Sequence, residues 1–121
     1  MERAKHWLIL IRHSPYGSSL SQAALDTTLA AAAFDRPVDV LFLGAGVLHL
    51  LPTQNGRSIR RRDLAKQWAS LPLYDVKQVY ADSTAATHYG VRLDESPINA
   101  EAIADEAIRL LLADSDVLLG F

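Results

Sequence analysis

The run Trp7-Leu8-Ile9-Leu10-Ile11 is apolar at every position rather than at alternate ones, and this constrains the chain more than anything else in it. A strand with no polar face must be covered on both sides, which is the situation of a central strand in a parallel sheet. Further apolar runs return at Val38-Asp39-Val40-Leu41-Phe42-Leu43, at Val76 to Tyr80 and at Val117-Leu118-Leu119-Gly120-Phe121, with helical periodicity between them. In the first interval Leu25, Leu29, Ala32 and Ala33 recur at helical spacing. In the second, Ser58 is placed to cap a helix from Ile59 to about Leu71 that turns Ile59, Leu64, Trp68 and Leu71 inward before Pro72. Gly44-Ala45-Gly46 stops the second strand, and Val47 to Leu51 is a short apolar segment closed by Pro52.

Beyond the third strand, Asp82-Ser83-Thr84 offers capping oxygens for a short helix, with Gly90 suited to end it in a left-handed conformation. Val91-Arg92-Leu93 reads as a small strand. Ser96-Pro97 reads as a cap and first turn, leading into a helix whose Ile103, Ala107, Leu110 and Leu111 form the inward stripe. Strands alternating with helices over short connections predict an α/β layered fold, a central, mainly parallel sheet flanked by helices. With 121 residues, half of them hydrophobic and 21% charged, the sequence suits one domain over residues 1–121 and excludes disorder. The apolar run after Met1-Glu2-Arg3-Ala4-Lys5-His6 is broken at Arg12, too early for a signal-peptide core or membrane span, and a cytoplasmic location is expected.

Chemistry in such sheets gathers beyond the carboxyl ends of the strands. That directs attention to loops 13–19, 44–46 and 82–84. Arg12-His13 after the first strand resembles the start of histidine phosphatases, with Arg57, Arg60, Arg61 and Arg62 as candidate phosphate contacts. Ser14 stands where that family has Gly, and His88 is the last histidine, so a loop His and an ion-pairing Arg are the competing reading. Gly44-Ala45-Gly46 lacks a third glycine and reads as a tight turn. The four arginines at a helix start suggest contact with an anion or an acidic partner, against a solvated face with Asp63 in reach. His6 and His49 have apolar neighbours and no paired histidine spacing, so they are expected to pack rather than bind metal; no metal or cofactor is expected. Asp82 has the position of a nucleophile activated by helix amides, but Asp is also a preferred cap. A net charge of −2 offers no general field for nucleic acid, and the absence of cysteine removes thiol chemistry altogether.

Pro15-Tyr16-Gly17, Leu25-Asp26, Gly46-Val47 with Leu50-Leu51-Pro52-Thr53-Gln54, Leu73-Tyr74-Asp75, and Asp116-Val117-Leu118-Leu119-Gly120-Phe121 run in one order along the sequence. On these segments the chain resembles the DsrE/DsrF/DsrH family, in its DsrF-like, TusC-type branch. The resemblance implies a cytoplasmic sulfur relay, in which a persulfide passes from a desulfurase system to a TusD-like subunit. From there it passes through a TusE-like carrier to the enzyme that makes 2-thiouridine at the tRNA wobble position. Matching the family's acceptor cysteine on Gly90 places Asp82 at that position, and a carboxylate holds no persulfide. The expectation is a non-catalytic subunit that assembles with TusB-like and TusD-like paralogues, its interface including Val47, Leu48 and Leu51, with no membrane and no direct tRNA contact. Two rival expectations are a small phosphate-handling enzyme using His13 and a self-assembling regulatory domain of the same fold.

Overall fold

A computed structural model describes residues 5–15, 19–52, 59–76 and 78–121, without the side chains of residues 59–63. Its strands are β1 (Trp7–Ile11), β2 (Val38–Phe42), β3 (Gln78–Asp82), β4 (Glu101–Ile103) and β5 (Val117–Gly120). Its helices are α1 (Leu20–Ala33), α2 (Ile59–Ala69), α3 (Ser83–Tyr89) and α4 (Asp105–Asp114), joined by 3-10 turns at Gly44–Leu50, Leu71–Tyr74 and Leu93–Glu95. The five strands form a sheet of order β4-β3-β2-β1-β5 in which every pairing is parallel. The expected α/β architecture is therefore present, with β1 at an inner position as its unbroken apolar run requires.

Successive side chains of a strand leave opposite faces, and the core divides accordingly. Ile9, Ile11, Val40, Phe42, Val79 and Ala81 join Leu25, Leu50, Trp68, Leu71 and Ala86 beneath α1, α2 and α3. Leu8, Leu10 and Leu41 meet Ile108 of α4 on the opposite face. Full burial of each large side chain contributes about 1.5–3 kcal/mol relative to exposure. The chain steps from β1 to β4 in one direction and returns past β1 to β5. Crossovers of constant hand then put the returning helix on the opposite face, which is where α4 lies.

Three sequence expectations need correction. β3 spans Gln78–Asp82, not Val76 to Tyr80, because the Val76 N–H bonds back to the Leu71 carbonyl and closes the preceding turn. Val91-Arg92-Leu93 is no strand: the Val91 N–H returns to the Ala86 carbonyl after Gly90 at φ 68°, a helix-terminating motif. Ser96-Pro97 begins no helix either. Ser96 Oγ accepts from the Ile98 N–H, buried Ile98 plugs the core, and the chain rejoins the sheet edge as β4 before α4 starts at Asp105. With that later start the inward stripe is Ile108, Leu111 and Leu112, while Leu110 is 63% exposed and Ile103 belongs to β4.

The same closure, in which a residue with positive φ and the residue after it each send an N–H back into the last turn, ends three described segments. Asp35 (φ 57°) follows α1, Asp75 (φ 66°) follows the Leu71–Tyr74 turn, and Gly90 follows α3. Asp is among the few non-glycine residues that visit this region readily.

Candidate functional site

The described parts of the three loops singled out by the sequence lie at the carboxyl edge of the sheet. Gly46 fixes the distance between two of them. A Cβ there would stand 1.9 Å from the Ile11 carbonyl oxygen, so a side chain would push the Gly44–Leu50 turn off the end of β1. The Leu43 N–H bonds the same carbonyl at 2.9 Å. Gly44, at φ 55°, begins the turn with free space around its missing Cβ.

Asp82 joins the second loop to the third. Its Oδ1 accepts from the Ala85 N–H of α3 and its Oδ2 from the Gly44 N–H, both at 3.2 Å, and the residue is 9% exposed. The carboxylate caps α3, as its residue type suggested, and also ties the end of β3 to the end of β2. Both its oxygens are engaged by backbone donors, which leaves a poor nucleophile and a good brace.

His49 joins the first loop to the second. Its Nε2 lies 3.0 Å from the His13 carbonyl oxygen and 3.3 Å from Ser21 Oγ. Donation to the carbonyl requires the Nε2–H tautomer. The ring is 5% exposed and packs with its centroid 5.6 Å from Phe42 and 6.2 Å from Trp68, while Phe42 and Trp68 meet edge-on at 5.4 Å. Beside this cluster opens a shallow pocket whose described lining is Pro15, Leu48, His49, Leu51, Leu64, Ala65 and Trp68. Trp68 is 1% exposed and its Nε1–H finds no acceptor among the described residues.

The other expected site residues are distributed unevenly. Val47 is wholly buried in the core, whereas Leu48 and Leu51 are half-buried and reach the surface above it. Arg12 and His13 stand exposed at the end of β1, with the Arg12 guanidinium alongside Gly120 of β5. Arg57 lies outside the described residues, as do Ser58, Tyr16-Gly17 and Thr53-Gln54. Arg60, Arg61 and Arg62 open α2, and their side chains, with that of Asp63, also lie outside the description.

At the opposite, amino edge is a pair the sequence did not announce. His6 Nε2 lies 2.8 Å from Asp39 Oδ2, and the His6 N–H donates to Asp116 Oδ2 at 2.7 Å. Burial raises the Asp39 carboxyl above its ordinary 3.8, and the nearby His6 offsets part of that rise. Burial also raises the Tyr80 phenol, helped by the charges of Asp39 and Glu101. His6 precedes β1 and Asp39 sits inside β2, so only the parallel register brings them together.

Comparison with known proteins agrees with this architecture. The chain is 32% identical to a protein named TusC homolog from Pseudomonas aeruginosa, over 93% of this chain and 94% of the relative. It is also 32% identical to Protein TusC of Klebsiella pneumoniae, over 97% and 99% of the two chains. The crystal structure of the YchN protein from E. coli superposes with a TM-score of 0.78 over 97% of this chain and 99% of that one, at 16% identity, a likeness of fold. Residues 5–121 match the model of the DsrE/DsrF-like family, and with relatives of this closeness and coverage the chain belongs to that family, beside its TusC members.

Proposed function

We propose that this chain is a non-catalytic subunit of a TusBCD-type sulfurtransferase complex, serving the cytoplasmic relay that 2-thiolates wobble uridine in tRNA. Kinship with chains named TusC supports a place in a sulfur relay. The observation that carries the rest is Asp82. At the position matched to the family's acceptor cysteine stands a carboxylate whose two oxygens hold the Gly44 and Ala85 N–H groups, in a chain without cysteine. Sulfur carried as a persulfide needs a thiol, so this subunit contributes by shape and contact.

Its partners in this reading are TusB-like and TusD-like paralogues, with a TusE-like acceptor reached through the complex. Leu48 and Leu51 are contact residues in this reading, packed against the core that holds Val47. A net charge of −2 argues against a direct hold on tRNA. Among the described residues no helix is long and apolar enough to cross a membrane.

The test is co-expression with the TusB-like and TusD-like chains of the same organism, followed by size exclusion. The three chains are expected to co-elute. Elution of this chain alone would overturn the proposal, and a symmetric homo-oligomer without partners would favour a self-assembling domain instead.

A further inference from the structure

We infer that the outer face of α4 docks a neighbouring subunit that presents a basic rim around an apolar socket, with Leu110 as the residue that enters it. This rests on the assembly proposed above and gives the chain a second contact surface, across the sheet from Leu48 and Leu51.

The outer side of α4 is left uncovered. Of its ten residues only Ile108 is buried, with Leu111 and Leu112 half-buried beside it. Leu110 stands about 200° around the helix from Ile108 by helical periodicity, and it is 63% exposed. Glu106 and Asp114, one turn before and one turn after, share that outer stripe and are exposed as well. A leucine set between two carboxylates in this way adds nothing to the core of its own chain.

One exposed leucine is ordinary, but this one is not alone. Leu118 of β5 is in register with Leu8, hence on the α4 side of the sheet, and is 48% exposed. β5 ends the sheet, and it carries neither the charge nor the proline that keeps other strands off an open edge. The opposite edge strand, β4, is shorter and begins with Glu101. Exposed apolar side chains and an unguarded strand edge on one side of a molecule mark a surface that assembly covers.

Charge selects the occupant. Residues 91–121 hold seven acidic side chains and two arginines, whereas residues 1–90 hold ten basic and seven acidic ones. Arg92 is engaged by Asp94 at 3.5 Å and Glu95 at 3.4 Å, and within α4 Arg109 stands against Asp105, Glu106 and Asp114. Such a surface repels tRNA and anionic lipid and attracts lysine and arginine. In this chain the basic stretch opens α2, on the opposite face of the sheet. A second copy would therefore pair front to back and grow into an array unless it closed as a ring. A different subunit with a basic, apolar-centred face completes the contact without that. A chain placed between two neighbours also needs two contact surfaces, and Leu48 with Leu51 supplies one.

Hydrogen–deuterium exchange of the full chain, alone and in complex with the TusB-like and TusD-like chains, tests this. The amides of α4 are expected to exchange at least tenfold more slowly in the complex, and at an unchanged rate when the chain alone is concentrated. Leu110→Ala and the double reversal Glu106→Lys with Asp114→Lys, all at exposed positions outside the core, are each expected to weaken assembly about tenfold. Added salt should weaken the parent complex more than the reversed one. A complex that forms with α4 exchange unchanged, or variants that assemble as the parent does, overturn the inference and leave the assembly standing. Protection of α4 in the chain alone as its concentration rises makes the occupant a second copy and also overturns it. Failure of any complex to form overturns both.

Discussion

Asp82 shows how one residue type can be legible in sequence and still have its role understated. A strand-end Asp before Ser-Thr is a helix cap, and the Ala85 N–H is where a cap of that helix should bond. The second bond, from Gly44 across to Oδ2, depends on β2 lying beside β3, and no local pattern reveals it. Asp82→Ala leaves the buried Ala85 N–H and the part-buried Gly44 N–H without this acceptor and is expected to lower stability by about 2 kcal/mol in urea denaturation, from the loss of a cap together with an unsatisfied N–H. Asp82→Asn keeps one acceptor oxygen and should lose about half as much. Asp39 supplies a pH prediction at the same scale. Its raised carboxyl means the folded state binds a proton more tightly than the unfolded chain does. Stability attached to this group is thus fully present below 3.8 and falls as pH rises through the raised value. Asp39→Asn does not titrate, so its stability relative to the parent should improve steadily as pH climbs through that window and level off above it. A difference that is constant with pH, or that shrinks, would contradict the burial of Asp39.

Elements were readable where one physical cause sufficed. Trp7–Ile11 is a strand at its expected bounds because an unbroken apolar run admits few alternatives, and α3 ends at Gly90 because the left-handed terminator is local chemistry. Reading failed where tertiary pairing decides. β4 is Glu-Ala-Ile at a sheet edge, without the apolar length that announces a strand, and its existence depends on register with Tyr80 to Asp82. Missing it moved the start of α4, so that of the expected stripe Leu111 faces inward and Ile103 packs there from β4, while Ala107 and Leu110 face solvent and buried Ile108 was not foreseen. The Gly44–Leu50 turn illustrates the same division. Its two glycines look equivalent in sequence, but they serve different needs. Gly46→Ala sets a Cβ against the backbone of β1 and should cost about 3 kcal/mol or more, in the range of severe overpacking. Gly44→Ala meets open space and bears only the left-handed backbone, about 1 kcal/mol. Thermal or urea melts of the two variants should rank them in that order.

At the scale of the molecule, the described segments that follow β1, β2 and β3 are tied to one another at the carboxyl edge. Gly46 abuts Ile11, His49 reaches the His13 carbonyl, and Asp82 holds Gly44. A persulfide carrier needs a thiol able to meet its donor, and what stands here instead is a braced edge. The absence of cysteine was visible at once in the sequence, while the pocket was not, because Pro15, Leu51 and Trp68 come together only through the fold. The central claim is that this chain enables sulfur transfer without carrying sulfur. Intact mass measured on every subunit of the co-purified complex, after incubation with a cysteine desulfurase and cysteine, tests it most directly. The account predicts added sulfur on the TusD-like chain, none on this one, and loss of transfer to the TusE-like acceptor when this chain is omitted. Sulfur bound covalently to this chain, or transfer at full rate without it, would contradict the account.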